Sequence, residues 1–279
     1  MIGNDARYLE IIQAMANKGY RVLLIGFNTF SFNHSSIQFI SHTDIDFFQL
    51  DAIILPIQGV DKKGGVTLPK PNEKFMLTKN MIDKTPKHCT IYTGIANSFL
   101  TNISVNRKLE VILNREDIAV YNAIPTAEGA LQLALKQTDK TIHGMNIIIL
   151  GFGNIGITIA NLFKNVGGCV SVAVRNKMDM ARINEWKMKP IDLNDLKKNI
   201  HKYSLCINTI PARILDSEII SSMNVETCII DLASADGGTD FNFAKQKGIT
   251  AIHALGLPEK TAPKTAGKII TQAILPSIR

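Results

Sequence analysis

The stretch Asn146-Ile-Ile-Ile-Leu150-Gly151-Phe-Gly153-Asn-Ile-Gly156 decides the fold. Its apolar run reads as a strand buried on both faces, and Ile155–Val166 after the glycines reads as a helix. Gly151 permits the tight turn, Gly153 lets the backbone approach a pyrophosphate, and Gly156 lets the helix pack close to the strand. With Asn154 and Ile155, free N–H groups at the helix start would hold that pyrophosphate. A glycine pattern alone is a weak signal. One set between a buried strand and an apolar helix points to a dinucleotide-binding βαβ unit.

Outward from this motif, short apolar strands alternate with helical segments, the pattern of parallel sheets wrapped by helices. On the C-terminal side the spacing predicts strands at Val170–Val174, Ser204–Thr209, Cys228–Leu232 and Ile249–His253, with helices at Ser217–Met223 and Phe241–Lys247. On the N-terminal side it predicts a helix over Asp5–Lys18 and strands at Arg21–Gly26, Ala52–Ile57 and Thr90–Thr93. Further helices are expected over Glu73–Asp83 and Val105–Asn114, and a loop or flap over Gly59–Asn72, which holds Gly64, Gly65, Pro69 and Pro71. Pro125-Thr126-Ala-Glu128-Gly129 and the apolar run after it read as a helix leaving the first domain. A last helix starts near Pro263, follows no strand of its own, and is free to pack back across the first domain. The expected protein is α/β, with two doubly wound parallel-sheet domains and an active-site cleft between them. A flavodoxin-like domain at 1–124, completed by helix 263–279, would carry substrate and catalysis. A Rossmann domain at 125–262, with linking helix 125–139, would carry NAD(P).

Composition narrows the function classes. A length of 279 residues exceeds the about 100–200 usual for one domain, and 46% hydrophobic with 20% charged residues excludes a disordered chain or a coiled coil. No stretch approaches the about 18–20 apolar residues of a membrane span. The first residues show neither a basic nor an apolar export segment. Cys89, Cys169, Cys206 and Cys228 lack paired spacing and read as reduced residues of a cytoplasmic protein, with no metal site. The balance of 31 basic against 24 acidic residues gives +7, but the charges are scattered without an aromatic-rich basic stripe, which argues against nucleic acid. A lysine-biased solvated surface or a small anionic ligand remains.

The strand after the glycine turn bears on which dinucleotide binds. An NAD site usually sets Asp or Glu about 20 residues on, to accept from the ribose hydroxyls. That place reads Arg175-Asn176-Lys177, where a guanidinium can fork onto a 2′-phosphate, so NADP is expected. Asn208-Thr209-Ile210-Pro211, and Asp231 with Ala233, end two further strands. They either line the nicotinamide half of the crevice or serve as strand-end turn residues. Pro263 suits the first position of a helix, and Lys264, Thr265 and Ala266 in its first turn make a carboxylate seat or a plain helix start. No histidine is paired by sequence with an acid, and His253 reads as a satisfied strand-end residue. No nucleophile elbow appears. A dinucleotide site without an acid–base dyad fits hydride transfer from an already activated substrate.

A wider set of motifs runs in order along nearly the whole chain: Gly3-Asn-Asp5-Ala-Arg7-Tyr-Leu-Glu10, Pro56-Ile-Gln-Gly59, Pro125-Thr-Ala-Glu-Gly129, the glycine turn, Asp231-Leu-Ala-Ser234, Gly237-Gly-Thr-Asp240, and Gly256-Leu-Pro258 with Ala262-Pro-Lys-Thr-Ala-Gly267. In these the chain resembles the dipicolinate synthase A-subunit family, and more loosely the two-domain dehydrogenases acting on 2-hydroxy acids and alanine. The resemblance implies oxidation of a dihydrodipicolinate ring, derived from 4-hydroxy-tetrahydrodipicolinate, to dipicolinate, with NADP taking the hydride. It also implies work beside the flavoprotein-like B-subunit of dipicolinate synthase, in the mother-cell cytoplasm of a sporulating bacterium; self-association is left open.

A cyclic dicarboxylate needs two anion seats. One is expected at Lys264-Thr265-Ala266, the other at Arg7 or the amides near Gly59 and Thr93-Gly94, with Thr126 and Glu128 at the interdomain corner. A doubly wound first domain also calls for an apolar strand before Gly3, where only Met1 and Ile2 stand. Two other readings stay open. A dehydrogenase of 2-hydroxy or 2-amino acids would need a histidine–acid or lysine–histidine pair facing the nicotinamide. A nucleotide-binding scaffold protein would need no turnover of its own.

Overall fold

In the computed structural model, which describes residues 1–70, 73–234 and 237–278, contacts sort the chain into two units. One is Met1–Tyr121 with Pro263–Arg279, the other Asn122–Ala262.

The first unit opens with α1 (Tyr8–Asn17), whose Tyr8, Ile11, Ile12 and Met15 form a buried stripe at helical spacing. Then follow β1 (Val22–Leu24), β2 (Ile37–Phe39), β3 (Ala52–Ile54), β4 (Gly65–Thr67), β5 (Lys74–Met76), α2 (Lys79–Lys84), β6 (Thr90–Thr93), α3 (Ser98–Ile103) and β7 (Lys108–Val111). β1 pairs in parallel with β2, and β6 lies between β3 and β7, also in parallel. Met1–Gly3 joins these two groups. Ile25 donates its N–H to Met1 O at 3.0 Å, Gly3 N donates to Ile25 O at 2.9 Å, and Ile2 N donates to Ile54 O at 3.0 Å. Met1–Gly3 therefore stands where the expected first strand would run, as an isolated parallel bridge between Ile2 and Ile25 and not as a regular strand. Beside it, a cavity of about 390 Å³ is lined by Met1, Val22, Leu23, Ala52, Asp44 and Asp46, among others. The Met1 ammonium donates to Leu23 O at 2.7 Å, and burial pushes its pKa down to about 5.

Two predicted helices of this unit are corrected. Glu73–Asp83 is the strand β5 followed by the short α2. Phe75 is buried between the exposed Lys74 and Met76, a period of two, and Thr78 caps the helix by accepting from Met81 N. Its antiparallel partner β4 lies inside the predicted loop Gly59–Asn72; Pro71 and Asn72 of that loop lie outside the described residues. The Asp61 carboxylate ties the turn before β4 by accepting from Lys63 N and Gly65 N, both at 2.8 Å. Val105–Asn114 is likewise no helix but β7 and a single 3₁₀ turn. The helix lies earlier, where Asn97 accepts from Leu100 N and starts α3.

The chain passes to the second unit through α4 (Glu116–Gln137), followed by β8 (Asn146–Leu150), α5 (Asn154–Asn165), β9 (Cys169–Val174), α6 (Lys177–Glu185), β10 (Lys189–Asp192), α7 (Leu196–Asn199), β11 (Leu205–Asn208), α8 (Ser217–Ser221), β12 (Cys228–Asp231), α9 (Phe241–Gln246), β13 (Thr250–His253) and α10 (Leu257–Thr261). The six strands are parallel in the order β10-β9-β8-β11-β12-β13. Ile147 to Leu150 are wholly buried, as a strand covered on both faces must be. The predicted linking helix 125–139 is corrected at its start: α4 begins at Glu116, and Pro125 sits inside it. Glu116 and Asp117 favour the helix start electrostatically, and the Thr126 hydroxyl donates to Asn122 O at 2.7 Å, one turn back. The N–H that Pro125 lacks would have reached Tyr121 O, and Tyr121 is exposed, so water can take that carbonyl and the helix continues.

Finally α11 (Pro263–Ile274) returns to the first unit and buries Ile269, Ile270, Ala273 and Ile274. A Cβ at Gly267 would lie 2.2 Å from Arg7 O, so glycine is what lets α11 approach the start of α1.

Candidate functional site

The three glycines after β8 differ in what holds them. Gly151 has φ +97, and a Cβ there would meet Thr209 Oγ1 at 2.6 Å. A Cβ on Gly156 would sit 2.4 Å from Gly151 O, in the close contact of α5 with the strand end. Gly153 answers to neither need: its φ −80 and ψ −173 suit any residue, and a Cβ would meet nothing within 4 Å. Nothing in the protein demands glycine at 153. What its missing side chain leaves is open space over the N-terminus of α5, where Asn154 is exposed and Ile155 half-buried. That cradle fits a pyrophosphate.

Arg175 and Lys177 are exposed at the end of β9 and the start of α6. Asn176 between them is the cap of α6: its Oδ1 accepts from Asp179 N at 2.7 Å and its Nδ2 donates to Asp179 Oδ2 at 2.5 Å. The nearby Asp179 carboxylate is thus held by the cap, and Arg175 and Lys177 stand exposed just beyond the strand end.

Beyond β11 and β12 lies a hub that sequence reading found only in part. The wholly buried Asp231 carboxylate accepts from Ala233 N at 2.9 Å, Gly238 N at 2.7 Å, Thr239 Oγ1 at 2.6 Å and Asn208 Nδ2 at 3.0 Å. Asn208 also accepts from Ile210 N at 3.1 Å, and Thr209 donates its hydroxyl to Leu150 O at 2.7 Å. Asn208, Thr209 and Asp231 therefore act as strand-end turn residues that fix the loops, Ile210 and Pro211 among them. Gly238 and Thr239 are the missed members; Gly237-Gly-Thr239 stood in the sequence as a motif without a role. His253 rests its ring on Phe241, with centroids 5.4 Å apart, and its Nε2 lies 3.0 Å from Ala233 O. That carbonyl can only accept, so Nε2 carries the proton.

In the first unit the residues expected around a dicarboxylate fall into two groups. Gly59, Thr93 and Gly94 come together where the loops after β3 and β6 interlock: a Cβ on Gly59 would strike Ile95 O, and one on Gly94 would strike Ile57 O, each at 2.4 Å. The Gly59 N–H already donates to Pro56 O at 2.8 Å, and the Thr93 hydroxyl donates to Pro56 O and Ile95 O. They shape the loops. The second group lies at the paired starts of α1 and α11, brought side by side by the Gly267 contact with Arg7. Arg7 is buried, its Nε and Nη2 held by the Asp5 carboxylate at 2.9 and 2.5 Å. Lys264 and Thr265 are exposed on the first turn of α11, with Ala266 buried beneath them. On α4, Glu128 is exposed and the Thr126 hydroxyl is engaged within its own helix. A histidine–carboxylate pair does occur, His88 with Asp51 at 2.8 Å, but where β3 and β6 begin, at the opposite edge of the sheet from these loops.

Among the described residues no three His, Cys, Asp or Glu side chains gather as metal ligands, and no helix is long and apolar enough to cross a membrane. The family model for the N-terminal domain of the dipicolinate synthase A-subunit matches residues 1–113. The chain is 42% identical over 276 residues to the dipicolinate synthase A-subunit of Bacillus subtilis (strain 168), covering 98% of this chain and 93% of that one. The crystal structure of the dipicolinate synthase A-subunit from Bacillus halodurans superposes with a TM-score of 0.94 at 40% identity, covering 99% and 96% of the two chains. Transhydrogenase from Sinorhizobium meliloti shares the fold at 12% identity, with a TM-score of 0.67 over 99% of this chain and 92% of its own.

Proposed function

The chain belongs to the dipicolinate synthase A-subunit family, and from that premise we propose that it oxidises dihydrodipicolinate to dipicolinate with NADP as hydride acceptor, in partnership with the B-subunit of that synthase. The observation that carries the nucleotide half is Gly153, a glycine that no turn and no packing contact requires, over the start of α5. Arg175 and Lys177 at the end of β9 favour the extra phosphate of NADP over the plain ribose of NAD. Lys264 and Thr265, on the exposed first turn of α11, give a substrate carboxylate an ammonium, a hydroxyl and helix-start N–H groups.

A nicotinamide nucleotide held along the glycine turn would supply the hydride acceptor, and loss of a hydride and a proton from the ring would leave the aromatic pyridine. Aromatisation favours that step, so the protein's part is to bind, orient and exclude water. His253 and Asp231 are engaged with Ala233 and the loop after β12, which supports a reaction without a histidine–acid dyad.

Purified chain mixed with NADP and freshly generated dihydrodipicolinate tests the reading. NADPH and dipicolinate should appear in equal amounts and depend on the chain. The same lack of a proton-transfer pair favours a second reading, a nucleotide-binding scaffold. No product from the chain alone, and product on adding the B-subunit that Arg175→Asp leaves undiminished, would favour that one instead.

A further inference from the structure

At the edge of the second unit's sheet where the strands begin, remote from the glycine turn at the other end of β8, lies a depression of about 510 Å³. Lys164, Lys187, Lys189 and Lys202 all line it, together with Ser171 and Cys169, and no Asp or Glu is among the lining residues. Four lysines thus share the walls of one hollow with no carboxylate to offset them, a local excess of positive charge that an anion relieves. Two of the ammonium groups are engaged by neighbours outside the lining, Lys164 Nζ donating to Trp186 O at 2.5 Å and Lys202 Nζ to Asn199 Oδ1 at 2.9 Å, which an entering anion would have to share.

A second observation is independent of the charge. Lys187 has φ +55, the one left-handed residue other than glycine among those described. It stands where α6 ends in a Schellman turn, with Lys187 N on Asn184 O at 2.9 Å and Met188 N on Ile183 O at 3.0 Å. Glycine takes that position at least cost. A lysine there sets an ammonium at the rim of the hollow against the backbone's preference, which calls for a reason outside the fold.

We propose that this depression is a second anion site, separate from the dinucleotide cradle, which takes a compact phosphorylated molecule. The choice of phosphate follows from the donors. All four cations are lysines, compact point charges with no acid beside them, and a phosphate group, which carries close to two negative charges, answers more of them than a single carboxylate does.

Cys169 gives a local readout, since it is exposed and lines the hollow while Cys89, Cys206 and Cys228 are buried. The full chain, free of nucleotide, is alkylated with iodoacetamide in tripolyphosphate, in citrate, and in sodium chloride of matched ionic strength, and modification of Cys169 is followed by mass spectrometry. Tripolyphosphate should slow alkylation about fivefold beyond the salt control and saturate below millimolar, with citrate clearly weaker. Lys187→Gly should abolish most of that protection while its Tm stays level or rises, and Lys189→Gln should weaken it in a protein of unchanged Tm. A rate that tripolyphosphate alters no more than salt does, or equal protection in both variants, would overturn the site. Equal protection by citrate would overturn its phosphate preference.

Discussion

Gly153 and Arg175 carry different parts of the nucleotide reading. The first leaves room at the start of α5, and the second sets a cation where the adenosine ribose of a bound dinucleotide would end. Arg175→Asp should weaken NADP about tenfold to a hundredfold, because one hydrogen bond to a charged group is worth about 1.5–3 kcal/mol, while NAD binds at least as well as before. Titration of both nucleotides into wild type and variant checks this, and an unchanged NADP affinity would leave Arg175 without a part in the preference. The parts proposed for these residues can be read from the sequence because each would act within one βαβ unit. The Asp231 hub cannot, because its donors come from the ends of two strands and from a loop. Nothing in the spacing of Asn208, Asp231 and Thr239 announces that they meet.

Among the elements, α11 is the most consequential, since it leaves the second unit to complete the first. Gly267→Ala should cost about 1–3 kcal/mol, the usual penalty of overpacking, because its Cβ would lie 2.2 Å from Arg7 O; thermal unfolding measures it. Lys264→Ala, on the exposed first turn of the same helix, should raise KM for the dicarboxylate and leave NADP affinity unchanged. An unaltered KM in steady-state assays would refute the proposed seat. The strands of the second unit could be read from sequence because burial on both faces demands unbroken apolar runs such as Ile147 to Leu150. In the first unit β2, β4, β5 and β7 are three or four residues long and partly exposed, so alternation is too short to register against helical spacing. The early start of α4 was hidden by Pro125, which reads as a helix start unless its surroundings are known.

At the scale of the whole molecule, one strand order serves both units. Counting Met1–Gly3 as the first strand, the first unit runs β2, β1, Met1–Gly3, β3, β6, β7, which is 3-2-1-4-5-6 in chain order. The second unit's β10-β9-β8-β11-β12-β13 is the same arrangement. In both, loops at the strand C-termini gather where the order reverses, the usual place for a ligand in such sheets. The core clusters around β8 and β11 draw on residues of the second unit alone. A fragment spanning 122–262 should therefore unfold cooperatively and still bind NADP, as calorimetry of the fragment would record; a fragment that fails to fold would show that its core needs the rest of the protein. The most direct test of the nucleotide claim is calorimetric titration of NADP into the whole protein and its Gly153→Ala variant. Because the added methyl meets no protein atom within 4 Å, Tm should not change while NADP affinity falls at least tenfold. Equal affinity in the two proteins would contradict the placement of the nucleotide along this turn.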